Sequence, residues 1–304
     1  MISKTVLEHI RQIVPADDLF ENEPMRDHTT FRVGGEAALF VRISDQEQLL
    51  RLVPFFRKLE LDYFILGNGS NVLVGDKGYP GAILHLGEGM GTVTVHNDII
   101  TAGAGASLAK TAQIAAEHGL AGLEFATGIP GTVGGGIVMN AGAFAGDMAQ
   151  IVEAVSIMSG NGELMELNNE AMEFGYRKSV VKNRSHIILS ATLRLTPGDK
   201  EKIKQRMAAL DHKRREKQPL NFPSAGSTFK RPVGKYAGKL IMDAGLRGFE
   251  IGGARVSKKH CGFIINHKNA TAADILAVIE AVQEQVYNKF NVKLEPEVIY
   301  LGEF

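Results

Sequence analysis

Chemistry in this sequence could reside in a few charged or hydroxylic side chains and in a series of glycine-rich turns. Arg177, in Tyr176-Arg177-Lys178-Ser179, is a permanent planar cation suited to gripping a carboxylate; the plainer reading is an arginine stacked on Tyr176. Ser227 follows a glycine in Ser224-Ala225-Gly226-Ser227-Thr228, a setting where serine more often serves the turn itself. Glu297 follows Pro296. Exposed, it is an ordinary strand carboxylate; buried, its raised pKa would keep it protonated as a donor. Lys217, Lys230 and Arg231 flank the serine motif, either as charged donors for an anion or as solvated cations. Glycine clusters begin at Gly67 (GNGSN), Gly87 (GEGMG), Gly103 (GAGA) and Gly128 (GIPGTVGGG). Backbone N–H groups in such turns can converge on an anion, and the missing Cβ lets a ligand come close. Several such turns together could hold both phosphates of a dinucleotide, and the alternative is that they are tight connections between strands.

The common nucleotide fingerprints do not fit. No G-x-G-x-x-G opens a βαβ unit, GAGASL from Gly103 fails at its sixth position, and G-x-x-x-x-G-K-[ST] is absent, which disfavours a Rossmann fold and a P-loop. His28, His260 and His267 are too scattered for a metal set, so no metal is expected. The single cysteine, Cys261, precedes the apolar Phe263-Ile-Ile265 and reads as a strand residue, not a nucleophile.

The elements that must position these groups belong to an ordinary globular chain. Its 304 residues carry 34 Lys+Arg against 34 Asp+Glu, leaving no global positive field for nucleic acid or an anionic membrane. One cysteine excludes an internal disulfide and points to a reducing, cytoplasmic setting. No run approaches the ~20 apolar residues of a membrane span, and the N-terminal stripe of Ile2, Val6, Leu7, Ile10 and Val14 reads as an amphipathic helix instead of a signal peptide. Short strands are expected at 63–66, 82–86, 92–95 and 99–102, feeding the glycine turns. A helix should start at Ser44 with Glu47 as its capping box and kink or break at Pro54; another should run from Ser107 to His118 and stop at Gly119. Strands 151–158 and 163–167 flank the hairpin signal Ser159-Gly-Asn-Gly162, and 186–195 alternates as a further strand. Composition changes at Thr196-Pro197-Gly198, which sets a boundary between domains 1–198 and 199–304. Residues 199–217 read as a highly charged, solvent-facing helix. A capping box at Thr271 and Asp274 opens a helix with Ile275, Ile279, Val282, Val286 and Phe290 on one stripe, and 293–301 closes as a strand.

Seven motifs in one order then establish a resemblance: His28-Thr-Thr-Phe-Arg-Val-Gly-Gly35, Ile65-Leu-Gly-Asn-Gly-Ser-Asn71, GIPGTVGGG, Asn140-Ala-Gly-Ala143, Tyr176-Arg177-Lys-Ser179, Pro223-Ser-Ala-Gly-Ser-Thr-Phe-Lys230 and Leu294-Glu-Pro-Glu-Val298. Together they resemble the UDP-N-acetylenolpyruvoylglucosamine reductase family across nearly the whole chain. The resemblance implies an α+β protein: an FAD-binding domain of the p-cresol methylhydroxylase type, with core 31–198 behind the N-terminal helix, and a smaller C-terminal substrate-binding domain. It also implies reduction of an enolpyruvyl ether on UDP-N-acetylglucosamine, in peptidoglycan precursor synthesis, with non-covalent FAD and NADPH as reductant. By the same resemblance, FAD lies along Arg32, Gly34, Gly67, Asn68, Gly69, Ser70, Asn71, Gly103, Ala104, Gly105, Gly128, Ile129, Gly131, Val133, Gly134, Gly135, Asn140, Gly142 and Ala143. Arg177 would hold the enolpyruvyl carboxylate or enolate, Ser227 would donate the proton to C2, and Glu297 would assist as a protonated carboxyl. Tyr176, Lys217, Lys230 and Arg231 would meet the sugar nucleotide. Only 50 positions separate Arg177 from Ser227, as in the shorter form of the family without the inserted loop whose Tyr covers the substrate, so no Tyr is assigned that role. Partners are small molecules, with no nucleic acid, membrane or obligate protein partner expected. Two alternatives stay open at this point: a sugar or lactone oxidase on the same FAD fold, although no His or Cys for covalent flavin falls in the clusters at Gly67, Gly103 and Gly128, and a catalytically silent nucleotide-binding protein.

Overall fold

The structure is a computed structural model that describes residues 2–183 and 186–304. The chain forms two compact units, each assembled from separate stretches. The first contains 1–21, 39–68 and 81–214, and the second 22–38, 69–80 and 215–304. The linear partition 1–198/199–304 is therefore redrawn in two ways. Most of the charged helix joins the first unit, and two early segments join the second because their backbone pairs there: Val72–Val74 lies parallel to Ile299–Leu301, and Gly35 N–H donates to Gly75 O.

In the first unit, helix α1 (Lys4–Arg11) buries Leu7 and Ile10, as its stripe demands. Helix α2 (Gln46–Lys58) is capped by Asp45, one residue later than expected; its Oδ1 accepts from Gln48 N, while Gln48 Oε1 reaches back to Ser44 N. α2 runs through Pro54 without a break. Leu49, Leu52, Val53 and Phe56 fix its inner face in the core, while Pro54 is exposed, so the carbonyl that proline leaves without a partner lies on the wet side. α3 (Leu108–Glu117) has Ser107 as N-cap and ends at His118, before Gly119 at φ +70°.

Two sheets lie wholly or mainly in this unit. One orders its strands 19–24, 36–43, 79–86 and 63–66, the last two parallel. The other is an antiparallel five-stranded sheet in the order Leu164–Asn168, Val152–Met158, Ile187–Arg194, Ile99–Gly103, Val93–His96. The Ser159–Gly162 turn closes its first hairpin, with Ser159 Oγ accepting from Asn161 and Glu163 N–H. Helix α4 (Val133–Val138) is short and glycine-rich, and Thr132 caps it. Helix α5 (Lys200–Lys217) is highly charged yet buries Ile203, Leu210 and Arg214.

The second unit packs α6 (Ala237–Asp243) and α7 (Ala272–Phe290) on an antiparallel three-stranded sheet, 250–251, 254–256 and 264–266. α7 has the expected capping box of Thr271 and Asp274, and its stripe Ile275, Val278, Ile279, Val282 and Val286 fills a core shared with Phe31, Leu73 and Ile264. The closing strand is shorter than the pattern suggested: only Ile299–Leu301 is regular. Cys261 is buried but lies in a turn, where Phe263 N–H donates to His260 O, not in the strand that starts at Ile264.

Candidate active site

The glycine turns of the first unit are knitted to one another. Gly103 N–H donates to Thr92 O, Ala104 N–H to Leu189 O and Gly105 N–H to Met90 O. Val133 N–H donates to Ala106 O, Gly134 N–H to Ala104 O, and Gly135 N–H to the Thr132 hydroxyl. These amides are engaged inside the protein, so the picture of free N–H groups converging on an anion fails for Gly103–Gly105 and Val133–Gly135. Backbone proximity explains the glycine instead: a Cβ on Gly105 would sit 1.9 Å from Gly87 O. Asn68 Nδ2 ties the Gly67 loop to the same assembly through Pro130 O at 3.2 Å.

Arg177 stands beside this assembly in a left-handed conformation, φ +55°. Its guanidinium donates to Asn140 O (3.4 Å) and Gly142 O (3.2 Å), and its Cζ lies 5.1 Å from the centre of the Tyr176 ring. The stacked arginine and the positioned cation are thus one arrangement, because carbonyl acceptors orient the charge without cancelling it. Asn140 holds the segment in turn, donating to Gly175 O and accepting from Ala149 N–H. Tyr176 itself is 57% exposed.

Ser227 and Glu297 belong to the second unit, where a short backbone ladder joins their segments. Glu297 N–H donates to Thr228 O (2.8 Å), Lys230 N–H donates to Glu295 O (2.9 Å), and Phe229 bridges Pro296. Thr228 anchors the ladder in the core: it is fully buried, and its hydroxyl accepts from Ile264 N–H. Ser227 is left exposed and Glu297 half-buried. Asn71 closes the far side, donating Nδ2 to Glu297 O at 3.0 Å and accepting Ile299 N–H. The side-chain amide of Asn71, expected on the cofactor, is thus engaged in holding Glu297.

His260 is a neighbour that the sequence reading set aside as scattered. A Cβ on Gly262 would lie 3.1 Å from His260 Nδ1 and 3.3 Å from Ser227 Oγ, so the two side chains flank the same gap. Gly262 N–H donates to Nδ1, which places the ring proton on Nε2, and burial pushes the imidazole pKa down. Of the basic residues, Lys230 is ion-paired to Glu295 at 3.0 Å, which weakens its claim on a diphosphate. Arg231 stacks on Tyr236 (4.6 Å), Lys217 is exposed at the end of α5, and Arg32 is exposed with φ +55°. A cleft of about 820 Å³ in the first unit, lined by Asp98, Glu153, Asn169 and Arg194 among others, contains none of the motif residues. Its arginine is already paired with Glu153 and Asp98, so it offers no free cation.

Two buried polar atoms lack a partner within or beside the motifs assigned to the cofactor: Thr30 Oγ1 in the His28–Gly35 run and Asp147 Oδ1 just after Gly146. Within the first unit the buried Arg214, whose Nε would be 2.6 Å from a Cβ on Gly128, gives the Gly128 motif a cation suited to an anionic dinucleotide. The fold is that of an FAD-binding protein: residues 37–168 match the family model described as FAD binding domain. Residues 218–301 match the model for the C-terminal domain of UDP-N-acetylenolpyruvoylglucosamine reductase. Relatives carrying that enzyme's name include those of Agathobacter rectalis, 47% identical with both chains covered completely, and Caldanaerobacter subterraneus subsp. tengcongensis, 46% identical over 99% of this chain and all of the relative. The crystal structure of the Thermus caldophilus reductase superposes with a TM-score of 0.80 at 38% identity, covering 91% of this chain and 97% of that one. The chain belongs to the UDP-N-acetylenolpyruvoylglucosamine reductase family.

Proposed function

We propose that Arg177, Ser227 and Glu297 are the catalytic residues of this FAD-dependent, NADPH-consuming reductase, which converts the enolpyruvyl ether of UDP-N-acetylglucosamine to UDP-N-acetylmuramate for peptidoglycan synthesis. The observation that carries the reading is the ladder from Thr228–Lys230 to Glu295–Glu297, which holds a hydroxyl and a carboxyl on adjoining segments above a buried anchor.

Bound FAD supplies the hydride relay between NADPH and C3 of the enolpyruvyl group. The residues of the chain stabilise the negative charge that this leaves at C2 and supply the proton that C2 then takes up. Arg177, oriented by Asn140 O and Gly142 O, presents a fixed cation to the carboxylate whose oxygens take up developing enolate charge. Ser227 delivers the proton to C2 through its hydroxyl, a weak acid that needs a neighbour to stabilise the developing alkoxide. Glu297 assists as a hydrogen-bond donor, its place fixed by Thr228 and Asn71. Tyr176, Lys217 and Arg231 are the groups left to meet the sugar nucleotide, and Lys230 joins them only by leaving Glu295. The cofactor is held by the turns at Arg32–Gly34, Gly67–Asn71, Gly103–Gly105, Gly128–Gly135 and Asn140–Ala143, through shape and close backbone approach more than through free amides.

The substrates are small molecules. No described helix is long and apolar enough to cross a membrane; we place the enzyme in the cytoplasm because its single thiol suits a reducing compartment. The test is an anaerobic half-reaction series: the purified protein should be yellow, NADPH should bleach it, and the enolpyruvyl substrate should restore the colour. Bleaching without recovery on adding substrate would overturn the assignment.

A further inference from the structure

We propose that Asn266 is a positioning residue for the cofactor: its buried amide holds the turn at Arg32–Gly34 in the conformation that receives FAD. The inference rests on the placement of FAD along that turn and goes beyond it, because Asn266 lies far along the chain, at the end of strand 264–266 and outside every motif. The residue is 9% exposed, and three separate segments engage its polar groups. Nδ2 donates to Phe31 O (3.1 Å) and Oδ1 accepts from Ala270 N–H (2.8 Å). The backbone N–H donates to Pro223 O (2.9 Å), at the start of the serine motif. Phe31 is fully buried, so its carbonyl has no water to turn to and depends on this donor.

The bond fixes one peptide plane. Phe31 O points to Asn266, while the N–H at the other end of the same peptide, that of Arg32, donates to Thr29 O at 3.1 Å. With the plane held so, Arg32 takes φ +55° and Gly34 φ +120°. Left-handed backbone is unfavourable for a residue with a Cβ and persists where the surroundings over-determine it. Turning the plane over breaks the bond to Asn266 and carries Arg32 into the ordinary negative-φ region. A second tie is local, Thr29 Oγ1 donating to Val33 O (3.1 Å). The next cofactor turn leans on the same loop, since Thr30 N–H donates to Gly69 O (3.2 Å). Without the amide, the preference of Arg32 for negative φ lowers the receptive fraction of the turn to about a tenth, and the apparent Kd rises by the inverse of that fraction.

The experiment compares Asn266→Ala, Asn266→Asp and Thr29→Val with the wild type. FAD titration of the apoprotein, hydrogen exchange of the amides in 29–35 and the apoprotein's melting temperature are measured for each. Asp keeps an acceptor for Ala270 N–H but sets its second oxygen against Phe31 O, so it cuts the loop alone, whereas Ala cuts both bonds. Both Asn266 variants should weaken FAD binding by about tenfold and speed exchange at Arg32, whose N–H leaves Thr29 O when the plane turns. Thr29→Val keeps the side chain's shape and loses the Val33 bond, so it should shift affinity in the same direction. FAD affinity unchanged in folded Asn266 variants, even with a lowered melt, would overturn the proposal and leave Asn266 a purely structural residue. A loss in Ala with none in Asp would overturn it as well, because the effect would then run through the entry to α7. Should neither Asn266 variant fold, Thr29→Val decides, and unchanged affinity there counts against the proposal equally. A wild-type apoprotein that binds no FAD would instead defeat the cofactor placement itself.

Discussion

Asn71→Ala separates a positioning role from a cofactor-binding one. In the structure its Nδ2 donates to Glu297 O at 3.0 Å, while its backbone carbonyl accepts Ile299 N–H beside the parallel pair Val72–Val74 and Ile299–Leu301. Alanine keeps the backbone bond and removes one neutral side-chain bond, a net loss of about 1 kcal/mol. For a chain of this size that lowers the melting temperature by about 2–4 °C. The freed carbonyl belongs to Glu297 itself, so the segment that carries the carboxyl loses one of its restraints. A displacement on the order of 1 Å at a reacting group costs about a hundredfold, and a loosened carboxyl should slow substrate reduction by roughly ten- to a hundredfold. FAD affinity and flavin reduction by NADPH should stay near wild type. Stopped-flow traces of the two half-reactions and an FAD titration make the comparison. A tenfold loss of FAD affinity with normal substrate reduction would refute the positioning account and return the Asn71 side chain to the cofactor.

Two further outcomes follow from the same geometry. Gly105→Ala forces a Cβ to within 1.9 Å of Gly87 O, a backbone atom that cannot step aside as a side chain would; a loss above about 3 kcal/mol should appear as poor soluble yield or a sharply lowered melt, and a normal melt would contradict the knitted-turn description. His260 is held neutral by burial, its pKa below the ordinary value. As pH falls below about 6.5 the unfolded chain takes up this proton first, so stability declines with acid until the folded pKa is reached. His260→Gln should flatten that part of the stability–pH curve without altering the plateau slope above it, and an unchanged acid slope would show that the ring is free to titrate.

Much of this architecture was legible because it rests on local rules. Ser107 and Gly119 bound α3, Thr271 and Asp274 cap α7, and the Ser159–Gly162 hairpin is written in adjacent residues. What escaped depended on distant packing. Nothing near Pro54 announces that its face of α2 is solvent, and nothing near Asn71 announces that Glu297, far along the chain, takes its amide. The glycines were visible, but their partners were not: Gly128 faces Arg214 and Gly105 faces Gly87. α5 reads as a solvent-facing helix with an apolar minority because charge outweighs its narrow stripe of Ile203, Met207 and Leu210; that Arg214 continues the stripe into the core is hidden by its charge. The units interleave because strand pairing joins 69–80 to the chain's end, a choice of partner that no local pattern encodes.

On the proposed mechanism, Ser227 and Glu297 act on the substrate half of the reaction and Arg177 supplies its fixed cation. Single-turnover reoxidation of the NADPH-reduced enzyme by the enolpyruvyl substrate tests it most directly, with wild type, Ser227→Ala and Glu297→Gln compared at equal FAD occupancy. The expected result is that flavin reduction is unchanged in all three, while reoxidation slows by about 10²–10⁴-fold in the variants, the range for loss of a positioned acid. Reoxidation at the wild-type rate in both variants would contradict the account and place the proton donor elsewhere in the chain.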